Sequence, residues 1–67
     1  MNIPTSIKKA LIDKHKRQKD LAANLNVTAS FLSAVSNGKK LPSLDFILKC
    51  ALFFDMKLSE FIALGEE

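Results

Sequence analysis

The stretch that most constrains this chain is Gln18 to Asn37, QKDLAANLNVTASFLSAVSN. Leu21, Ala22 and Leu25 fall at i, i+1 and i+4, the spacing of one apolar stripe on a helix. Asn26 follows, a residue type that tolerates the left-handed backbone conformation of a sharp turn. Val27 returns the chain to the core, and Thr28 offers a hydroxyl to cap a new helix. In that helix Leu32 and Val35, spaced i, i+3, point inward, while Ala29, Ser30, Ser33 and Ala34 lie on the other side. Ala22, small and in mid-helix, lets the two helices cross closely. The pattern predicts two short helices about a tight turn, the second with small residues on its outer face.

Sixty-seven residues make one domain, 1–67. A chain of this size buries only about 60% of its unfolded surface, so its core is small when alone. Disulfides, metals or oligomerisation are the usual remedies. Cys50 is the single cysteine, so no internal disulfide forms, and Cys50 with His15 cannot supply four zinc ligands. Idealised helix packing or a dimer remains. No apolar leader segment opens the sequence, and its longest apolar run is too short to span a bilayer. A cytoplasmic protein with a reduced thiol, no membrane partner and no small-molecule ligand or cofactor is expected.

The net charge of +3 is unevenly spread. Residues 1–42 carry Lys8, Lys9, Lys14, Lys16, Arg17, Lys19, Lys39 and Lys40 against Asp13 and Asp20, a balance of +6. Residues 43–67 carry Lys49 and Lys57 against Asp45, Asp55, Glu60, Glu66 and Glu67, a balance of −3. Taken alone, +3 is ordinary solvated charge. A basic front and an acidic back beside the two-helix motif point to one face for a polyanion.

The remaining segments are also helical by pattern. Thr5 or Ser6 can cap a first helix running to about Lys16, its inner face Ile7, Ala10, Leu11 and the stem of Lys14. His15, near its end, is read as a surface or capping residue. Gly38 can take the positive φ of a helix C-cap. Ser43 caps a fourth helix, about Leu44 to Asp55, with Leu44, Ile47, Cys50, Ala51 and Phe54 on one face and Phe46, Leu48, Leu52 and Phe53 partly outside it. A fifth runs from about Leu58 to Leu64 and ends at Gly65. No run alternates at period two over useful length, so no strand is expected.

From about Ile7 to Leu64 the chain resembles the phage repressor and Cro family of helix-turn-helix proteins, also called the XRE type. The matching features are Gln18 opening the first motif helix, Leu21-Ala22 within it, Leu25 and Val27 flanking the turn, and Leu32 and Val35 in the second helix. Asn37-Gly38-Lys39-Lys40 leaves the motif, and Pro42-Ser43 opens the next helix. Three positions depart from the family: Asn26, usually Gly; Ser36, often Glu; and Phe31, usually small or polar. The resemblance implies an all-α, compact five-helix lambda-repressor-like domain whose helices 2 and 3 form the helix-turn-helix, at about 18–37. It implies a DNA-binding transcription regulator of phage or prophage type, with Cro-like repression by a homodimer on a pseudopalindromic operator. It also implies base contacts from Thr28, Ala29, Ser30, Ser33 and Ala34. Phosphate contacts would come from Gln18, flanked by Arg17 and Lys19, and from Asn37, Lys39 and Lys40.

The residues themselves qualify this picture. Ser30 and Ser33 carry hydroxyls that donate and accept, and Ala29 and Ala34 carry methyls that pack on thymine. The exposed face before Asn37 holds no Arg, Lys, Gln or Asn, so bidentate base reading is absent and shape readout gains weight. Phe31 either closes the core against helix 4 or contacts DNA. The surplus apolar residues point to an isologous contact at Phe53, Ile62 and Leu64. A restriction–modification controller or antitoxin of the same fold is the alternative, as is a protein-interaction module using the Phe-rich C-terminal half. No catalytic set, phosphate loop or metal spacing is present, and an enzyme is not expected.

Overall fold

Local chemistry delimits each helix in the computed structural model, which describes residues 2–66. The order is α1 (Ile3–Asp13), α2 (Gln18–Leu25), α3 (Ala29–Ser36), α4 (Leu44–Phe53) and α5 (Leu58–Leu64), with no strand among the described residues. Thr28 caps α3, its Oγ1 accepting from the Phe31 N–H at 3.0 Å, and Ser43 caps α4 through the Phe46 N–H at 3.2 Å. The Glu60 carboxylate accepts from the Lys57 N–H at 2.9 Å and fixes the start of α5. These bonds satisfy donors that the first helical turn leaves without partners.

The first helix differs from the expected one at both ends. It starts at Ile3 rather than after Thr5 or Ser6, with Asn2 as cap, its Oδ1 accepting from the Thr5 N–H at 3.2 Å. Pro4 causes no break, because a proline in the first turn lacks only an N–H that would have gone unpaired. The helix ends at Asp13, and Lys14 is exposed rather than lining the core.

Four of the five helices end alike. His15, Asn26, Gly38 and Asp55 adopt φ of 55°, 57°, 77° and 56°. After each, the next N–H reaches back five residues: Lys16 to the Leu11 carbonyl, Val27 to Ala22, Lys39 to Ala34 and Met56 to Ala51, all at 2.9–3.0 Å. This is the left-handed closure that occupies otherwise unpaired carbonyls. The residue types are those that enter this region most readily. At Gly38 a Cβ would make only an ordinary contact with Pro4, at 3.9 Å, so the positive φ is what selects glycine there.

Helix α1 packs on α3 and α5, α2 on α3 and α4, and α4 on α5. Ile7, Ala10, Leu21, Leu32, Val35, Cys50 and Phe61 are fully buried at the centre. Phe54 lies between two rings, edge-on to Phe53 at 5.1 Å and stacked on Phe61 at 5.9 Å. Such aromatic pairs add to the stabilisation from area burial alone. Gly65 closes α5 with an ordinary φ of −78°. A Cβ there would collide with the Asn2 carbonyl oxygen and come within 2.6 Å of Ser6 Oγ, so close approach of α5 to the start of α1 is what excludes a side chain. Ser6 Oγ is buried at this contact without a hydrogen-bond partner.

The buried face of α4 is Phe46, Ile47, Cys50 and Ala51, followed by Phe54 at its C-cap. Leu44, expected inside, is 64% exposed, and Phe46, expected partly outside, is buried. The Phe31 ring of α3 packs edge-on against Phe46, while Leu44 stays exposed in the first turn of α4. Burial pushes the Cys50 thiol up to about 12 from an ordinary 9.0, which keeps it protonated and unreactive.

Candidate nucleic-acid interface

Helix α3 buries Leu32, Val35 and Ser36 and turns its opposite side outward. Thr28, Ala29 and Ser30 are exposed, and Ser33 and Ala34 are half-buried. The tight turn before it is set by Asn26, whose φ of 57° and ψ of 44° hold α2 and α3 in contact. Ala29, Ser30, Ser33, Ala34, Asn37 and Lys39 line one shallow open depression of about 430 Å³. Four of the five residues expected to meet bases, and two of those expected to meet phosphates, therefore share one surface. Thr28 stands outside it, at the N-terminus of α3, with its hydroxyl oxygen engaged as cap.

Within that depression the Asn37 side-chain amide donates to Ser33 Oγ at 3.3 Å. With one lone pair so occupied, the Ser33 hydroxyl hydrogen is directed away from Asn37. The Ser36 hydroxyl donates to the Ser33 carbonyl at 3.2 Å and is spent inside the fold. Ser36 is almost fully buried, so a longer acidic side chain at this position could not adopt the same place.

The basic residues divide. Arg17, Gln18 and Lys19 are exposed at the start of α2, which has no side-chain cap. Backbone donors at such an end favour an anion. Lys39 joins the α3 depression, but Lys40 does not. Its ammonium lies 5.6 Å from the centroid of the Phe31 ring, a cation–π placement. Phe31 is half-buried and meets the Phe46 ring edge-on at 5.7 Å. It closes the core beside α4 and carries Lys40 on its other side. This platform role was not visible in the sequence, where only its distance from Lys40 along the chain could be read. Lys16 sits similarly, 5.9 Å from the Phe53 ring.

Phe53, Ile62 and Leu64 are half-buried, packed against the core of their own chain. The most exposed large apolar side chains lie elsewhere, at Ile12, Leu41, Leu44, Leu48 and Leu52. No helix among the described residues is long and apolar enough to cross a membrane.

Five helices, a capped and tightly turned α2–α3 pair and an uncovered α3 face define a helix-turn-helix domain. The helix-turn-helix family model of the XRE, Cro and C1 type matches residues 7–61, and the chain belongs to that family. The family is one of DNA-binding transcription regulators, and the lambda-repressor-like fold expected from the sequence is the fold found. No curated protein and no solved structure gives a significant match.

Proposed function

We propose that the chain is a Cro-like repressor that binds a pseudopalindromic operator as a homodimer and blocks transcription by occupying it. The observation that carries this is the α3 depression, where small side chains and Lys39 line one open surface. Small residues permit close approach to base edges, and Ala29 and Ala34 offer methyls to thymine. Ser33, already accepting from Asn37, serves as a donor to an acceptor such as guanine O6 or thymine O4. With no bidentate reader on this face, groove shape and bridging water supply much of the discrimination.

Phosphate contacts fall to Arg17, Gln18 and Lys19 on one side and Asn37, Lys39 and Lys40 on the other. Half-sites of such operators lie about 34 Å apart. The Cα atoms of one chain span 26 × 22 × 20 Å, so reading two half-sites takes two chains. Phe53, Ile62 and Leu64 are the proposed contact between them. An intracellular, nucleoid-bound location follows from this role.

Titration of duplex DNA at several salt concentrations tests the proposal. Affinity falls by about 0.9 log unit per phosphate contact for each decade of salt. Lys39→Ala weakens binding to all sequences alike and lowers that slope. Ser30→Ala changes preference at one position of each half-site. Affinity independent of salt, or identical behaviour of the two variants, refutes the assignment.

A further inference from the structure

Lys39 lines the α3 depression, and Lys40, the next residue, is seated on Phe31, its Nζ 5.6 Å from the ring centroid. At about 100° per residue Phe31 falls on the flank of α3 beside Ala34, so its ring stands at one edge of the open face. The ring is itself held from two helices. Thr28 Oγ1 accepts from the Phe31 backbone N–H at 3.0 Å, and the ring meets Phe46 of α4 edge-on at 5.7 Å. Phe46 is buried, and its own N–H donates to the Ser43 cap at 3.2 Å. The loop that carries Lys40 is anchored just before it, where the Lys39 N–H donates to the Ala34 carbonyl at 2.9 Å.

We propose that Phe31 is a positioning residue, its ring holding the Lys40 ammonium at the Ala34 edge of the α3 face, ready for a DNA phosphate. The inference rests on the DNA-binding reading and gives Phe31 a part in it that needs no contact of its own with a base. A lysine side chain has many rotamers, and fixing one of them on binding costs affinity. A seat that restrains it beforehand removes part of that cost. A carboxylate seat would cancel the charge and repel the phosphate. An aromatic face restrains the ammonium and leaves its charge uncompensated. Among the described residues no carboxylate pairs with Lys40. Lys40 is exposed, so the side of its ammonium turned from the ring is open to a phosphate.

Two measurements on the full chain test this. In the free protein, the ring current of Phe31 moves the NMR signals of the Lys40 ε-methylene protons upfield of those of Lys39, and Phe31→Leu abolishes the difference. The second measurement is affinity for a mixed-sequence duplex, which reads phosphate contacts without base preference. Phe31→Leu, which keeps an apolar side chain against Phe46, lowers the affinity of the folded protein about threefold, the scale of an exposed cation–π contact. Phe31→Tyr, with its ring face intact, leaves affinity unchanged. In the Lys40→Ala background Phe31→Leu causes no further loss, whereas a merely structural part for Phe31 gives the same loss in both backgrounds. Coincident Lys40 and Lys39 signals overturn the seat. Equal losses with and without Lys40, or no loss from Phe31→Leu, overturn its part in binding and leave the DNA reading standing. Salt-independent binding by the wild type sinks the DNA reading and this inference with it.

Discussion

Helices α3 and α4 bury one side each in the same core and differ on the side left out. Outward, α3 shows Ala29 and Ser30 with half-buried Ser33 and Ala34, while α4 shows Leu44, Leu48 and Leu52. Core packing dictates only the inner faces, Leu32 and Val35 in one case and Phe46, Ile47, Cys50 and Ala51 in the other. The outer faces are free to match what each helix meets. Short polar and methyl side chains suit a wet, anionic groove approached closely. Leucines suit another apolar face and contribute nothing to a phosphate contact.

The sharpest way to break this division is to place the same charge on each face. Ala34→Glu sets a carboxylate in the α3 depression, where approaching phosphates repel it. Like-charge juxtaposition of this kind costs several kcal/mol, so DNA affinity falls roughly a hundredfold. Leu52→Glu on α4 leaves half-site affinity within about twofold, since its side chain is already 78% exposed. Mobility-shift titrations of both variants decide it. Equal losses would show that α4 also lies on the DNA.

Gly65→Ala probes the half of the molecule away from the motif. The added methyl meets the Asn2 carbonyl and Ser6 Oγ, and α5 must move off the start of α1. Overpacking of this kind costs about 1–3 kcal/mol. Chemical denaturation reads that loss, while DNA affinity of the folded fraction stays unchanged. An unaltered midpoint would show that the α1–α5 contact yields without cost.

Cys50 gives a smaller effect, set by pH. Its thiol is pushed up to about 12 by burial, against 9.0 when exposed. Above pH 9 the unfolded chain releases this proton first and therefore binds fewer protons than the folded one. The thiol's contribution is fully present below that pH and is lost as pH rises toward 12. Between about pH 8 and pH 10 wild type loses on the order of 1 kcal/mol more than Cys50→Ala. Parallel slopes for the two proteins would contradict this.

What the sequence made legible was whatever local chemistry alone decides. Asn26, Thr28 and Ser43 act through their own turn or cap, and each does in the structure what its side chain suits it for. The bounds of α2 and α5 agree for the same reason. Where neighbours decide, the reading failed or stayed open. Leu44 and Phe46 exchanged places because the Phe31 ring that packs on Phe46 comes from another helix and cannot be read from α4 alone. Phe31 needed Phe46 and Lys40 in place before its packed role appeared. Gly65 looked like an ordinary helix stop, and its close approach to Asn2 is a contact between opposite ends of the chain. Of the candidate site, the α3 face was legible through its spacing. The Ser33–Asn37 bond and the seat of Lys40 on the Phe31 ring were not.

The smallest expected effect lies at the turn between α2 and α3. Asn26 holds φ 57°, ψ 44°, a conformation that costs most L-residues about 1–2 kcal/mol and asparagine less. Glycine enters it without steric cost but gives up about 0.4–1 kcal/mol by loosening the unfolded chain. The two terms nearly offset, and Asn26→Gly should stabilise by about 0.5 kcal/mol or less. Asp55→Gly, at φ 56° in the corresponding closure of α4, should do about the same. The pair sharpens the contrast between the two helices, because both changes act on helix ends and neither touches an outer face. Thermal melts should rise slightly for each, and DNA affinity should not move. If Asn26→Gly weakens binding while Asp55→Gly does not, the asparagine side chain at the turn is itself part of the DNA-facing surface, which then reaches from α3 back into the turn.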